Sequence, residues 1–367
     1  MSLSESFSVL RPHIDEATAT ALARLLARAG ATPRSSAFSE AVVSSAEGGK
    51  RFRALMAHVG WSLSSGRPLS EARLPHLAAA LELYQASALV HDDIIDHADE
   101  RRGAPTPHRR LADLHRGAGW IGSSRTFGRN AAILVGDFLF SAASAEADEQ
   151  ALNLPEANAR AFAHSFADMH AEVALGQYLD IMAEQSPLDP RRADALSAAD
   201  SLDVALHKSA HYSVVRPAQL GAICGANSTH IINELTDALD AILTPWGLAF
   251  QLRDDDLGVF GDPTVTGKPA GDDLREGKRT VLLALTWAAS SPAERTALAN
   301  VLGVAEASAD EIAVATQIIE RNGRSAHEAE IANLVAQGHR ALDASAFGDE
   351  ASAMLRELCD ILTARRA

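Results

Sequence analysis

Leu81-Glu82-Leu83-Tyr84-Gln85-Ala86-Ser87-Ala88-Leu89-Val90-His91-Asp92-Asp93-Ile94-Ile95-Asp96 decides the reading of this chain. Its apolar residues recur every three or four positions, the period of a buried or amphipathic helix, and the pattern extends over residues 71–97. The run ends in three carboxylates set among Leu89, Val90, Ile94 and Ile95. A carboxylate in such surroundings is costly to bury without a counter-ion. Asp92 and Asp96 share a helix face about 5.4 Å apart, so both reach the same one or two cations, while Asp93 points roughly 100° away and supports them. Hard oxygen ligands point to Mg²⁺, which bridges protein carboxylates to substrate phosphates.

A second cluster, Gln251-Leu252-Arg253-Asp254-Asp255-Asp256, closes another long apolar run. Here the position one turn after Asp254 is Gly258, which has no ligand atom. Asp254 is therefore the expected direct ligand, with Asp255 or Asp256 in support. Helical periodicity also covers residues 5–29, 122–148, 156–184, 192–223 and 230–258, and strand signals are weak almost everywhere. Breaks fall at Gly30–Pro33, Gly48-Gly49, Ser64–Pro68, Gly103–Pro107, Pro187–Pro190 and Gly261–Gly271. Repeats, low-complexity linkers and composition shifts are absent from the sequence. The expectation is one all-α domain over residues 1–367, with a motif-bearing core at about 45–285 and packing helices at about 292–365. A site assembled from such scattered motifs belongs in a bundle core, on facing helices.

The formal net charge of −15 argues against nucleic acid or an anionic membrane as the main partner. The cations are nevertheless grouped: Lys50, Arg51 and Arg53; Arg101, Arg102, Arg109 and Arg110; Lys268, Arg275, Lys278 and Arg279. Basic groups beside carboxylate clusters suit a polyanion held by metal and guanidinium together. Gly49-Lys50-Arg51-Phe52-Arg53 opens a helix from a glycine turn, so helix amides plus Lys50 and Arg53 form an expected phosphate cradle. Cys224 and Cys359 are too few for a disulfide framework, no signal-peptide pattern is visible, and no apolar run approaches the roughly 20 residues of a membrane span. A cytoplasmic protein is expected.

Several motifs now stand in order: Gly-Gly-Lys-Arg-Phe-Arg from Gly48, His-Asp-Asp-Ile-Ile-Asp from His91, and Arg101-Arg102-Gly103-Ala104-Pro105-Thr106. They are followed by Gly136-Asp137, Gly176-Gln177, Lys208-Ser209, Phe250-Gln251-x-x-Asp254-Asp255, Gly267-Lys268 and Gly277-Lys278. In order and spacing they resemble the trans-isoprenyl diphosphate synthases, or polyprenyl synthetases. The wording around Val265–Leu274 is most similar to bacterial geranylgeranyl-type synthases of the actinobacterial kind. The resemblance implies an all-α isoprenoid synthase bundle around a deep central cavity, usually a homodimer, with two to three Mg²⁺ ions. It assigns metal binding to Asp92, Asp96 and Asp254, with Asp255 beside them. Arg101, Lys208, Ser209, Gln251 and Lys268 would contact the allylic diphosphate, with Lys278 nearby. Lys50, Arg53, Gln85 and Arg102 would hold isopentenyl diphosphate. The chain departs from the usual pattern at Ala54, Gln85, Ser209 and, most consequentially, Gly258.

Chain length is read from the helix leading into Asp92. Ser87 and Ala88 are small where farnesyl-type enzymes carry a bulky aromatic, and Tyr84 lies about one turn deeper. Tyr84 is therefore the expected floor for a C20 product. The alternatives are a medium- or longer-chain synthase and a non-catalytic partner subunit of a heteromeric enzyme. A class I terpene cyclase would need no isopentenyl diphosphate pocket, and its Asn/Ser/Glu-type second motif is missing.

Overall fold

The structure, a computed structural model, describes residues 2–261 and 271–363. Lys268 lies outside these residues. The helices, in chain order, begin with α1 (Leu3–Arg28), α2 (Ser36–Ala46), α3 (Phe52–Ser65) and α4 (Pro75–Ile95). A two-residue ladder, β1 (Glu100–Arg101) with β2 (Ala104–Pro105), precedes α5 (Pro107–Gly117), α6 (Ser124–Leu152), α7 (Glu156–Gln185) and α8 (Ala198–Ala205). A ten-residue π-helical segment, Leu206–Val215, leads into α9 (Arg216–Gly225) and α10 (Thr229–Phe260). Then come α11 (Asp272–Glu276), α12 (Val281–Ala289), α13 (Pro292–Ala299), α14 (Ala309–Asn322), α15 (Arg324–Asp343) and α16 (Asp349–Thr363).

The helix boundaries have local chemical causes. Ser2 and Glu5 close a capping box on α1, Ser291 and Glu294 do the same on α13, and Ser308 and Glu311 on α14. Pro75 and Pro107 open α4 and α5, where a missing N–H costs nothing.

The chain divides into two compact units, residues 2–166 with 217–235, and residues 167–216 with 236–363. In the first, α4 is central: Leu77, Ala79, Ala80, Leu81 and Leu83 are fully buried, which is why its sequence is apolar on more than one face. In the second, Leu282, Trp287, Leu298 and Ile319 centre one apolar cluster, and Ala210, Leu252, Val281 and Ile331 another. Among the described residues the only sheet is the β1–β2 ladder, with Arg101 opposite Ala104.

Candidate functional site

In the first unit the carboxylates end α4. Asp96 is its C-terminal cap, and the Asp96 amide donates to the Asp92 carbonyl at 2.8 Å. The C-terminal end of a helix carries partial negative charge, so carboxylates there call for a cation. Asp93 is buried and takes no place in that pair. Its Oδ1 accepts from Arg101 Nε at 2.6 Å, while Arg101 Nη2 lies 3.4 Å from Asp92 Oδ2. Asp93 thus anchors the guanidinium beside Asp92.

The hairpin explains how two consecutive arginines serve different neighbours. Its turn residues, Arg102 and Gly103, both have positive φ (56° and 73°), the geometry of a tight two-residue hairpin. Arg101 is thereby directed to Asp93, and Arg102 to the Gly48-Gly49 turn, where its Nη1 donates to the Glu47 carbonyl at 3.2 Å. Gly48 and Gly49 both have positive φ (71° and 90°), which suits glycine, and a Cβ on Gly49 would stand 3.1 Å from Arg102 Nη2. The protonated form of Arg102 is disfavoured first by desolvation and then by repulsion from Arg101 and Arg51. Cations from both sequence groups therefore converge here, with Lys50 exposed and Arg53 half-buried on the same turn.

The expected cradle at the start of α3 needs a correction. Its Ala54 amide already donates to the buried Glu82 carboxylate at 3.2 Å, so that amide is not available to a phosphate. Arg51, the α3 N-cap with φ 53°, is buried; it donates to Asp15 at 2.6 Å and lies 3.5 Å from Glu82. Burial raises the Glu82 carboxyl, against the lowering by Arg51 and Arg53. The side chains of Lys50, Arg53 and Arg102 are the cations this turn presents.

Along α4, Tyr84, Ser87 and His91 face α6. Ser87 Oγ donates to the Gly136 carbonyl at 2.8 Å, the His91 ring rests on Gly136, and the Tyr84 ring meets Phe140 edge-on with centroids 6.0 Å apart. Burial raises the Tyr84 phenol. Gln85 and Ala88 are half-buried. Ser87 is thus committed to α6 by its hydroxyl, a direction that helical spacing alone does not reveal.

In the second unit the π-helical segment carries Lys208 and Ser209. Wide i→i+5 turns are rare and concentrate at functional sites. A stripe on α7 receives this segment: Glu172, Gly176 and Asp180, each one turn apart. A Cβ on Gly176 would stand 2.7 Å from the Lys208 Cα, so only glycine lets the backbone approach. Asp180 pairs with Lys208 Nζ. Glu172 accepts from His207 at 2.9 Å, from His211, and from Arg216 at 3.1 Å. Burial opposes ionisation of Glu172, yet His211, His207 and Arg216 hold its carboxyl down at about 2. Glu172, His207 and His211 bring three ligand atoms within 4.8 Å of one another. Their spacing is that of hydrogen bonds, and Arg216 already balances the carboxylate.

From Ser209 a relay crosses to α10. Ser209 Oγ donates to Gln251 Oε1, and Gln251 Nε2 donates to Asp255 Oδ1 at 2.8 Å. Burial, against the Gln251 hydrogen bond and with Asp273 and Asp254 adding negative charge, pushes the Asp255 carboxyl up to about 8. Crowded oxygens that resist ionisation in this way fit a divalent cation. Asp254 is half-buried. Asp256 points elsewhere: its two oxygens accept from Arg324 Nε at 3.0 Å and Nη2 at 3.2 Å, tying α10 to α15. Of the two expected supporters of Asp254, Asp256 is engaged by Arg324 and Asp255 by Gln251. Lys278 Nζ lies 3.5 Å from Asp273 Oδ1 and also pairs with Glu276.

The polyprenyl synthetase family profile matches residues 35–319. The chain belongs to the polyprenyl synthetase family. Among solved structures, a geranylgeranyl pyrophosphate synthase from Corynebacterium glutamicum, complexed with isoprenyl diphosphate and magnesium, is 37% identical, with a TM-score of 0.84 and 100% of both chains covered. A geranylfarnesyl diphosphate synthase of Aeropyrum pernix is 33% identical over 278 residues, 75% of this chain and 77% of its own. A geranylgeranyl diphosphate synthase of Saccharolobus solfataricus is 32% identical over 279 residues, 75% of this chain and 74% of its own. These similarities accord with the all-α architecture expected of a polyprenyl synthetase.

In this polyprenyl synthetase the sequence reading passed over Glu82, Glu172 and Asp180, and took Arg51 only as one member of a basic group. For Glu172 and Asp180 a signal existed, since both sit one turn from the Gly176 of the Gly-Gln motif. Glu82 carried one too, as a lone acid inside a fully apolar run.

Proposed function

We propose that this polyprenyl synthetase is a prenyltransferase that condenses isopentenyl diphosphate with an allylic diphosphate (dimethylallyl, geranyl or farnesyl). The proposed products are geranylgeranyl diphosphate (C20) and diphosphate. The observation that carries the reading is the first unit's pairing of Asp92 and Asp96 with two differently aimed arginines. Arg101 is held beside the aspartates, and Arg102 is laid on the Lys50 turn. One cation would accompany the allylic diphosphate beside the aspartates, and the other would belong to a second anion pocket, as a two-diphosphate reaction requires.

In this reading Asp92, Asp96 and Asp254 would hold two to three Mg²⁺ ions, with Asp255 beside them. When bound, Mg²⁺ supplies Lewis-acid stabilisation of the departing diphosphate. Arg101, Lys208, Ser209, Gln251, Lys268 and Lys278 orient the allylic diphosphate and offset its charge. Lys50, Arg53, Gln85 and Arg102 position isopentenyl diphosphate. The allylic C–O bond breaks, its electron pair leaving with diphosphate, and the isopentenyl double bond attacks the allylic carbon. Loss of a proton to the departing diphosphate restores an alkene. Exclusion of water protects the allylic cation from hydrolysis.

We read residues 1–367 as a single synthase domain, because the family match runs through both units. We read the protein as a homodimer on account of the exposed Ile133, Leu134 and Phe140 of α6. A cytoplasmic location accords with the absence, among the described residues, of a helix long and apolar enough to cross a membrane. Tyr84 with its Phe140 neighbour is the proposed chain-length determinant, with Ser87 and Ala88 leaving room above it.

The test is incubation of purified protein with Mg²⁺, labelled isopentenyl diphosphate and each allylic primer, followed by sizing of the dephosphorylated products. A dominant C20 alcohol supports the reading. Longer alcohols keep the reaction and remove the Tyr84 floor, and no condensation with any primer favours the partner-subunit reading.

A further inference from the structure

Gly258 is where α10 fails to repeat the pattern of α4. Asp92 and Asp96 stand one turn apart on one helix face, and the matching positions on α10 are Asp254 and Gly258. Glycine within a helix costs roughly 1 kcal/mol relative to alanine, so its use here needs a reason. Gly258 has no positive φ that would demand glycine. The reason is space. A Cβ built on Gly258 would overlap Asp273 Oδ2 and stand 2.5 Å from its Cγ and 3.1 Å from its Oδ1.

The Asp273 carboxylate therefore lies at the point where a side chain at position 258 would begin. Asp273 belongs to the first turn of α11, which Gly271 starts with φ 74°. Its backbone carbonyl accepts from the amides of Gly277 and Lys278, at 3.1 and 3.0 Å. Its Oδ1 has Lys278 at 3.5 Å, and Oδ2 is the atom turned to α10.

We propose that Asp273 supplies, from another helix, the carboxylate that α10 lacks at position 258, and so completes the metal-facing pair with Asp254. The proposal rests on the prenyltransferase reading above and deepens it. Gly258 is then the space that admits Asp273 to the Asp254 face, and the second carboxylate pair is built from two helices where the first is built from one.

The test uses full-length protein, Mn²⁺ as a paramagnetic stand-in for Mg²⁺, and inorganic diphosphate. Bound Mn²⁺ is counted by electron paramagnetic resonance. Asp273→Asn keeps the side-chain volume and removes the charge, and Asp273→Ala clears the space. Each is expected to weaken Mn²⁺ binding about 10–100-fold, the range for losing a carboxylate that supports a metal. Gly258→Ala, which removes no carboxylate but evicts Asp273, is expected to weaken it as well. The transposed variant Gly258→Asp with Asp273→Ala is expected to recover most of the binding that Asp273→Ala loses. Parental Mn²⁺ binding in Asp273→Asn overturns the proposal. So does a transposed variant that melts like the parent yet binds Mn²⁺ no better than Asp273→Ala. Condensation by the parent is assayed separately, so a failure of the prenyltransferase reading shows itself there, independently of the Mn²⁺ counts.

Discussion

Gly176→Ala tests whether the π-helical segment is positioned by close backbone contact with α7. The new Cβ would stand 2.7 Å from both the His207 carbonyl carbon and the Lys208 Cα, where ordinary contact begins at 3.4 Å. The obstacle is backbone, so no rotamer change relieves it. The Lys208 amide nitrogen lies closer still, so the segment must move by more than about 0.7 Å. Overpacking of this kind costs about 1–3 kcal/mol. Alanine recovers about 1 kcal/mol of helix propensity over glycine. The net loss of stability is then about 0–2 kcal/mol, a fall in Tm of a few degrees. Activity should suffer more, because Lys208 and Ser209 move with the backbone, and a misplacement of about 1 Å costs up to ~10²-fold. The assay pairs thermal melting with steady-state condensation kinetics, and kcat/KM for the allylic substrate is expected to fall about 10–100-fold. Gly247→Ala is the control, since its Cβ would meet Ala210 Cβ and the Ala210 carbonyl oxygen at 3.1 Å, contacts that a shift of a few tenths of an ångström relieves. A Gly176→Ala enzyme that melts and turns over like the parent would falsify the reasoning.

Further expectations follow from individual side chains. Tyr84→Ala opens the contact with Phe140 and should lengthen the product while costing about 3–5 kcal/mol of stability; an unchanged product distribution places the floor elsewhere. Asp256→Asn weakens the Arg324 pair and should cost about 1–3 kcal/mol in chemical denaturation without altering Mn²⁺ binding; weakened Mn²⁺ binding would return Asp256 to the metal site. For pH, the folded-state value of Asp255 is raised, to about 8 from 3.8. Its contribution to the stability of the metal-free protein is full below 3.8 and is lost as pH rises through about 8. Denaturation of metal-free protein should show stability declining over that window, and Asp255→Asn should flatten the decline; an unaltered slope in the variant refutes the assignment. Glu172 shows the opposite sign, with a value lowered to about 2 from 4.5, so its contribution is present above 4.5 and lost as pH falls through about 2. Glu172→Gln should lessen the acid-side loss, and an identical acid transition would exclude this role.

Helices, their breaks and the two aspartate clusters were legible because they depend on local order. Period 3.6 marks α4 and α10, proline and glycine mark their ends, and carboxylates in apolar runs mark a cation site whatever the fold around them. The arginine pair was legible as chemistry but not as geometry. Only the left-handed turn at Arg102-Gly103 shows that Arg101 serves Asp93 and Asp92 while Arg102 serves the Gly48-Gly49 turn. The division of labour within Asp254-Asp255-Asp256 was likewise hidden, because adjacent helical residues point about 100° apart and the partner of each lies far along the chain.

The amino-acid sequence by itself determined the helical class and the family and set the expectation of Mg²⁺-type ligands, since these rest on residue type, spacing and order. Tertiary structure alone decided which polar groups were already engaged. Glu82 claims the Ala54 amide, Asp180 claims Lys208, and Arg324 claims Asp256. It alone also showed Asp273 against Gly258. The physical reason is range: helix periodicity and capping act within a few residues, whereas a buried carboxylate is satisfied by whichever cation or amide the packing brings near it.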